Sequence, residues 1–373
     1  MWKNITGQEK VITKLKSVYK NGRVPHAYLF KGLDGIGKDA VAIEFAKLLN
    51  CTNVQNGDEA CDVCDNCKKI ASFKSDLFRF ICALPSGRSE QTGSDPLESL
   101  SGADFDLYLE QLNQKAADPY HRVSLPNANN IRINSIRELV SKIYLASSSN
   151  STKVFLISEA EKMRQEAANS LLKVLEEPPR RSVIILTTSK VSSLPATIIG
   201  RCQNISFKPF TEEQVKNKII SNGAGFAVSE IELASKLSFG SYTRALELLE
   251  IGITQIRESV LDYLVATLKD DYAGMVLISR NMGTKSEKDK LRHFLFFMNA
   301  WFRDIMKIKY SNETNLSNFD IVDRLRKFNK NYPNSDIYNI ITELEEADKL
   351  ITQNVQLPLI LVNLSFKLKK YLV

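Results

Sequence analysis

The residues KGLDGIGKD, at positions 31–39, set the architecture that we expect for this chain. The apolar run AYLF (27–30) precedes them and a helical pattern over 40–49 follows, which gives the order strand, glycine-rich loop, helix. This segment fits the phosphate-binding pattern G-x-x-x-x-G-K-[ST] except at its last position, and in that pattern backbone N–H groups and the lysine hold phosphate oxygens. The alternative is a glycine-rich turn that never contacts nucleotide. The candidate nucleotide-binding residues are Gly32, Gly35, Gly37, Lys38 and Asp39.

Two positions that normally hold Mg2+ are altered. Asp39 stands where the pattern requires a hydroxyl, and a carboxylate at that position repels polyphosphate, although in principle a carboxylate could itself bind Mg2+. The strand expected over 153–157 ends in Ser158, where a nucleotide hydrolase has the aspartate that binds Mg2+. Glu159 then corresponds to the glutamate that orients the attacking water, or it is a solvated carboxylate at a helix start. The sequence thus predicts an inherited loop that no longer works fully, and it puts ATP and Mg2+ in doubt as cofactors.

Four cysteines follow the helix that comes after the loop. Their spacing contains two overlapping C-x-x-C pairs within a polar segment. Such pairs place two sulfurs on one ion with little strain, and tetrahedral zinc takes four thiolates, so we predict a structural zinc site without an open position for catalysis. An iron–sulfur cluster and a redox dithiol remain as alternatives. The predicted ligands are Cys51, Cys61, Cys64 and Cys67.

Composition indicates a globular protein with more than one domain. Its 373 residues exceed one ordinary core, and the net charge of +7 is too low for a dedicated DNA-coating protein. The first residues, MWKNIT, lack a signal-peptide core, and the longest apolar run is too short to span a bilayer, so we expect a soluble cytoplasmic protein. We interpret residues 85–130, rich in Ser, Gly, Asp, Asn and Pro, as an insertion or surface loop without evident chemistry, with a short amphipathic helix over 105–112.

Four segments occur in an order typical of one known family. They are PHAYLF (25–30), the four-cysteine segment (51–67), LLKVLEEPP (171–179) and GRC (200–202). The chain resembles the clamp-loader subunits of the AAA+ class, most closely the delta-prime family of bacterial DNA polymerase III. This resemblance covers the first 250 residues.

The resemblance implies an α/β fold with a parallel sheet. It assigns residues 1–209 to an AAA+ P-loop domain that carries a zinc-knuckle insertion, 210–252 to a small helical lid domain and 253–373 to an all-α C-terminal collar. The C-terminal third shows helical spacing but no motif of its own, so its role rests on the resemblance alone.

The resemblance also assigns roles to three single residues. The family's Ser-Arg-Cys motif appears as Gly200-Arg201-Cys202, which implies that Arg201 is an arginine finger acting in trans on the ATP site of a neighbouring subunit. Arg244, in GSYTRAL (240–246), corresponds to an arginine that touches nucleotide phosphates in active relatives, although we favour structural pairing for it here. Thr188 corresponds to the position that senses the terminal phosphate.

The implied function is that of a non-hydrolysing structural, or stator, subunit of the DNA polymerase III clamp loader. Its expected partners are the motor ATPase subunits and the clamp-opening subunit in a five-subunit ring, the sliding clamp and, without sequence choice, primer-template DNA; no membrane is involved. One alternative is a working ATPase motor subunit of the same assembly. Another is a nucleic-acid-binding zinc module on an unrelated P-loop domain, but the cysteine segment lacks the interleaved basic and aromatic residues of such modules.

Overall fold

The structure is a computed structural model that describes residues 2–86, 95–145, 151–223, 225–281, 288–310, 316–353 and 355–372. The chain divides into two compact units. The first comprises Met1–Lys218 with Gly240–Thr243, and the second comprises Ile219–Phe239 with Arg244–Val373.

The first unit is built on a five-stranded sheet with the order β2-β3-β4-β1-β5, in which every neighbouring pair is parallel. The three central strands are nearly continuous apolar runs because helices cover both faces of a parallel sheet. The strands are β1 (Ala27–Lys31), β2 (Phe78–Ile81), β3 (Lys153–Ile157), β4 (Ser182–Thr188) and β5 (Gln203–Ser206).

Helices flank this sheet and three short 3-10 turns connect parts of it. On one side, Phe45 packs edge-to-face on Tyr28 with ring centroids 5.7 Å apart. On the other, Leu29 and Phe155 share a buried cluster with Leu171. The helices are α1 (Glu9–Lys20), α2 (Lys38–Asn50), α3 (Asp65–Ala71), α4 (Gly102–Ala117), α5 (Ile133–Tyr144), α6 (Gln165–Glu176), α7 (Ala196–Arg201) and α8 (Glu212–Ser221, whose last three residues belong to the second unit), and the turns are Trp2–Asn4, Ala160–Lys162 and Val191–Ser193.

The register of the sheet brings its carboxyl ends together at one edge. Lys31 pairs with Thr188, so the loop after β1 begins beside the end of β4. Ile157 pairs with Leu186, which places Ser158 next to Thr187. Ligand sites of open parallel sheets lie at this edge, and the predicted nucleotide residues of the first unit are therefore brought to one place.

The insertion differs from the expected surface loop. Residues 87–94 lie outside the described part of the chain, but α4 spans 16 residues, where the sequence predicted a helix only over 105–112. Ser101 caps α4 by accepting a hydrogen bond from the backbone N–H of Asp104 at 3.2 Å. Tyr108 and Lys115 on this helix are buried, so the segment packs on the sheet unit.

The second unit is helical in its described residues. Its core contains Phe294, Phe302 and Leu361, which are fully buried. The buried Tyr263 hydroxyl donates a hydrogen bond to the Leu361 carbonyl oxygen at 2.5 Å. Its elements are α9 (Val228–Leu237), α10 (Tyr242–Ile251, whose first two residues belong to the sheet unit), α11 (Ile253–Lys269), α12 (Tyr272–Asn281), α13 (Lys288–Tyr310), a 3-10 turn (Phe319–Ile321), α14 (Val322–Asn331), α15 (Ile337–Thr352) and α16 (Leu357–Leu372).

The predicted α/β class, with a parallel sheet, a strand–loop–helix unit at residues 27–50 and a helical C-terminal region, is confirmed. Among the described residues, no helix has both the length and the apolar character needed to cross a membrane.

Candidate functional site

The glycine-rich loop joins β1 to α2, as the sequence predicted. Gly35 (φ 70°) and Gly37 (φ 85°) have left-handed backbone conformations that favour glycine. A Cβ atom at Gly35 would lie 2.4 Å from the Ser241 hydroxyl oxygen, and one at Gly37 would lie 2.7 Å from the ring of Tyr120. The backbone N–H of Tyr242 also donates to the Gly35 carbonyl oxygen at 3.0 Å. Neighbouring residues therefore leave no space for a side chain at either glycine.

Lys38 turns back onto the loop that precedes it. Its ammonium group donates to the carbonyl oxygens of Gly32 at 2.8 Å and Leu33 at 2.5 Å, and it lies 3.8 Å from a carboxylate oxygen of Asp34. The side chain is only 8 % exposed, and this burial lowers the pKa of Lys38 even though nearby carboxylates oppose the shift. The lysine therefore stabilises the loop itself in this conformation.

Asp39 is held by three side chains. Its carboxylate accepts hydrogen bonds from Ser158 at 2.7 Å and Thr187 at 2.9 Å, and it forms an ion pair with Lys115 at 3.1 Å. Burial alone would raise the pKa of Asp39, but the Lys115 ammonium and the two hydroxyls outweigh it and hold the pKa below its usual range. Asp39 and Ser158, which replace two residues that normally bind Mg2+, are thus hydrogen-bonded to each other.

Glu159 is occupied by two cations. Its carboxylate forms ion pairs with Arg122 and, at 2.7 Å, with Lys162, while its backbone has a left-handed φ of 53°. These two cations balance the charge of the Glu159 carboxylate without Mg2+.

Thr188 is fully buried at the end of β4. Its hydroxyl accepts from the Lys190 backbone N–H at 3.1 Å, and its carbonyl oxygen accepts from the Gly32 N–H at 3.2 Å. The preceding residue, Thr187, is the one that bonds Asp39. Thr188 therefore holds the loop and the strand end together.

The four predicted metal ligands form one cluster. The sulfur atoms of Cys51, Cys61, Cys64 and Cys67 all lie within 4.8 Å of one another. Zn–S bonds of about 2.3 Å in a tetrahedron place the sulfurs about 3.8 Å apart, which is compatible with this limit, and an all-thiolate donor set suits zinc. Backbone N–H groups of Cys61 and Cys64 donate to the sulfurs of Cys51 and Cys61, each at 3.3 Å. The cluster thus fits a metal ion.

Ion pairs join the cysteine segment to α1. Lys16 contacts Asp58 at 3.1 Å and Glu59 at 2.9 Å, and Lys20 contacts Asp58 at 2.7 Å. The indole N–H of the buried Trp2 donates to the Asp58 carbonyl oxygen at 3.1 Å. Order in the cysteine segment is therefore coupled to the N-terminal part of the sheet unit.

Arg201 is the last residue of α7 and lies at the surface. Its guanidinium donates to the Thr197 carbonyl oxygen at 2.9 Å and forms an ion pair with Glu176 at 2.6 Å, with 37 % of the arginine side chain exposed. A Cβ atom at Gly200 would meet nothing within 4 Å, so the missing motif serine does not reflect a steric restriction.

Family models match most of the chain. The model described as "DNA polymerase III, delta subunit" matches residues 7–211, and the one described as "DNA polymerase III, delta subunit, C terminal" matches residues 254–369. The chain belongs to the DNA polymerase III delta-subunit family. These matches, together with the delta' relative described next, confirm the delta-prime clamp-loader family that the sequence motifs indicated.

The matches to individual relatives cover very different shares of those relatives' lengths. The DNA polymerase III subunit delta' of Bacillus subtilis is 28% identical over 357 residues, which cover 95% of this chain and 94% of that protein. The subunit tau of Salmonella typhimurium is 29% identical over 72% of this chain, but the match spans only 36% of tau. A solved DNA polymerase III gamma subunit-related protein from Thermotoga maritima aligns over 97% of this chain and 99% of that chain, with 16% identity and a TM-score of 0.47.

Lys115 is one residue at the site of this delta-family chain that the sequence analysis missed. It comes from the insertion, which we interpreted as having no chemistry, and its side chain is 2 % exposed. The available signal was its spacing: Tyr108, Leu112 and Lys115 lie on one side of α4, so a lysine continues an apolar stripe. A lysine at such a position requires a buried partner.

Arg244 lies in the second unit of the delta-family chain, in α10. Its guanidinium is 5.2 Å from the ring centroid of Phe296, a cation–π contact within that unit.

Replacing Asp39 with asparagine should lower the free energy of unfolding at pH 7 by about 3 kcal/mol, because the buried Lys115 ammonium loses its counter-ion. The folded pKa of Asp39 is depressed, so its contribution is complete above the unfolded value of about 3.9 and is lost as the pH falls through the folded pKa. Urea unfolding of both proteins should show a constant difference from about pH 5 to 8 that shrinks below about pH 4.

The matched control is Asp34→Asn, which removes a carboxylate that is 43 % exposed and 3.8 Å from Lys38. It should change stability by well under about 1 kcal/mol. A difference between wild type and Asp39→Asn that grows in acid would contradict the ion pair.

Proposed function

We propose that this chain is a non-hydrolysing structural subunit of the DNA polymerase III clamp loader, which helps to load the sliding clamp onto primed DNA during replication. The observation that carries the proposal is the network around Asp39. Mg2+ with ATP is the group that a P-loop implies, and a P-loop hydroxyl and a strand-end aspartate normally hold the ion. Here those two positions are Asp39 and Ser158. The Ser158 hydroxyl donates a hydrogen bond to the Asp39 carboxylate, which also forms an ion pair with the Lys115 ammonium. These residues do not fit the ion.

The chain would contribute to ATP hydrolysis through Arg201, acting as an arginine finger on the site of a neighbouring motor subunit. A planar and permanent cation stabilises the charge that develops on a transferred phosphoryl group. In support, Arg201 ends a helix and is partly exposed, and its partner Glu176 is 50 % exposed. Ion pairs as exposed as this one contribute little to stability, so Arg201 can exchange Glu176 for a phosphate at small cost.

The remaining assignments follow from the family. We propose that the partners are motor subunits and the clamp-opening subunit in a five-subunit ring, the sliding clamp, and primer-template DNA held through its phosphates. Residues 1–209 would be the AAA+ domain, 210–252 the lid and 253–373 the collar, and the second family match begins at residue 254. The ion held by Cys51, Cys61, Cys64 and Cys67 would be a structural zinc, and the protein would act in the cytoplasm.

The test of this function is turnover by the purified chain. Calorimetric titration with ATP, with and without Mg2+, is combined with a phosphate-release assay on the same sample. We expect no sustained phosphate release, and Lys38→Ala serves as the control for contaminating ATPases because it removes the phosphate-binding lysine. Steady Mg2+-dependent release that Lys38→Ala abolishes would replace the stator role with that of a motor subunit.

A further inference from the structure

The Lys115 ammonium contacts the side chain at position 39, where the phosphate-binding pattern has the hydroxyl that binds Mg2+. It contacts Asp39 at 3.1 Å and donates to the backbone carbonyl oxygens of His121 at 2.8 Å and Pro119 at 3.4 Å. An ammonium group has three donors, and here three oxygens surround it. The single positive charge also balances the carboxylate of Asp39, whose side chain is only 18 % exposed.

The ring of Tyr120 lies against the start of α2. It is close enough to Gly37 to exclude a Cβ atom there, and its hydroxyl accepts from the Thr6 backbone N–H at 2.9 Å. On its other sides, Tyr242 packs edge-to-face with centroids 5.5 Å apart, and the Lys218 ammonium lies 3.8 Å from the ring centroid. Phosphates of a bound nucleotide would need the space at this helix start.

The same segment supplies a second cation and is anchored to the sheet. Arg122 forms the ion pair with Glu159, so two acids of the nucleotide site are neutralised by residues that lie seven positions apart. Tyr108, Val123 and Leu125 share a buried cluster with residues 82 and 84, which follow β2. The segment is therefore held over the loop by its own apolar core.

We propose that residues 102–125 are a built-in occupant of the nucleotide site, in which Lys115 takes the place of Mg2+ and Tyr120 covers the phosphate loop. This inference deepens the proposed function and rests on it for one statement, that the site does not turn over ATP. Loss of the metal-binding residues at positions 39 and 158 would by itself weaken Mg2+ binding. In our proposal, residues 102–125 also exclude the nucleotide, and this segment can be mutated separately from those two positions.

The test restores the metal positions with and without the occupant. In the full chain, Asp39→Thr with Ser158→Asp supplies the usual hydroxyl and carboxylate, and Lys115→Met is then added because methionine keeps an apolar stem beside Phe80. We expect MgATP binding, measured by calorimetry, to be about tenfold or more tighter once Lys115 is replaced, and tighter again with Tyr120→Ala. Gln114→Ala, on the exposed side of α4, is the control and should have no effect.

Equal MgATP affinity with and without Lys115 would overturn the inference, as would a folded variant lacking both Lys115 and Tyr120 that binds no MgATP. A second measurement uses a single substitution and MgCl2 alone. Lys115→Met leaves Asp39 without its cation, so Mg2+ should raise the thermal midpoint of this variant but not that of the wild type. An equal response of the two proteins would also contradict the inference. ATP turnover by the wild type would instead remove the proposed function.

Discussion

Replacing Arg201 with alanine should lower ATP turnover at the neighbouring site of a reconstituted clamp loader by about a thousandfold. An arginine finger acts on charge that exists only in the transition state, so kcat should fall while the affinity of the motor subunit for ATP changes little. The stability of this chain should be unchanged, because the Arg201–Glu176 ion pair is half-exposed. Arg201→Lys should restore little activity, since an ammonium cannot make two parallel hydrogen bonds to a phosphoryl group.

The measurement requires that only one ATP site is active. We suggest assembling the complex with motor subunits whose P-loop lysine is replaced everywhere except in the subunit that follows this chain, and recording single-turnover hydrolysis. Gly200→Ser is the matched control, because the added side chain meets open space and restores the family motif. Full activity of the Arg201→Ala complex would show that this arginine is only a surface residue.

Removing the metal from the four-cysteine cluster should have the second large effect. We expect one zinc per chain, and we expect Cys67→Ser or strong chelation to lower the free energy of unfolding by several kcal/mol, because zinc binding supplies about 10 kcal/mol or more in isolated zinc fingers. Cys67 is 0 % exposed, so the serine hydroxyl would also be buried without a metal. The loss should extend to α1 through the ion pairs of Lys16 with Asp58 and Glu59.

Metal content by mass spectrometry, thermal midpoint and DNA binding together check this prediction. Cys202→Ala is the control, since Cys202 is buried away from the cluster in the main core and its loss should leave the zinc content unchanged. Under the proposed function, zinc loss destabilises the cysteine segment without switching DNA binding on or off. Abolished DNA binding in a chain that remains folded would support the zinc module that reads nucleic acid.

Features that depend on neighbouring residues were predictable from sequence. The strand, loop and helix around Gly37 follow from local periodicity and backbone requirements, and the cysteine cluster follows from spacing that fixes two sulfurs at a time. Substitutions at positions 39 and 158 were visible as departures from a pattern. Their mutual hydrogen bond was not, because it joins residues 119 positions apart and depends on the order of the strands.

The contribution of α4 was beyond sequence reasoning for a related reason. A polar segment without a motif predicts a surface loop, and only the apolar stripe ending in Lys115 argued otherwise. A buried lysine has no recognisable partner until the chain is folded, since the electrostatic pairing is set by tertiary distance. The same applies to Arg122, whose partner Glu159 lies 37 residues away.

The covalent tether of Lys115 has a consequence for the assembly as a whole. A divalent ion dissociates, and its occupancy follows its concentration in the cell, whereas a charge carried on the chain has an effective concentration that dilution and chelators cannot change. With its site filled in this way, the subunit would keep one shape at any ratio of ATP to ADP. The neighbours that exchange nucleotide would then move against a fixed reference, so the timing of clamp opening would be set entirely by them.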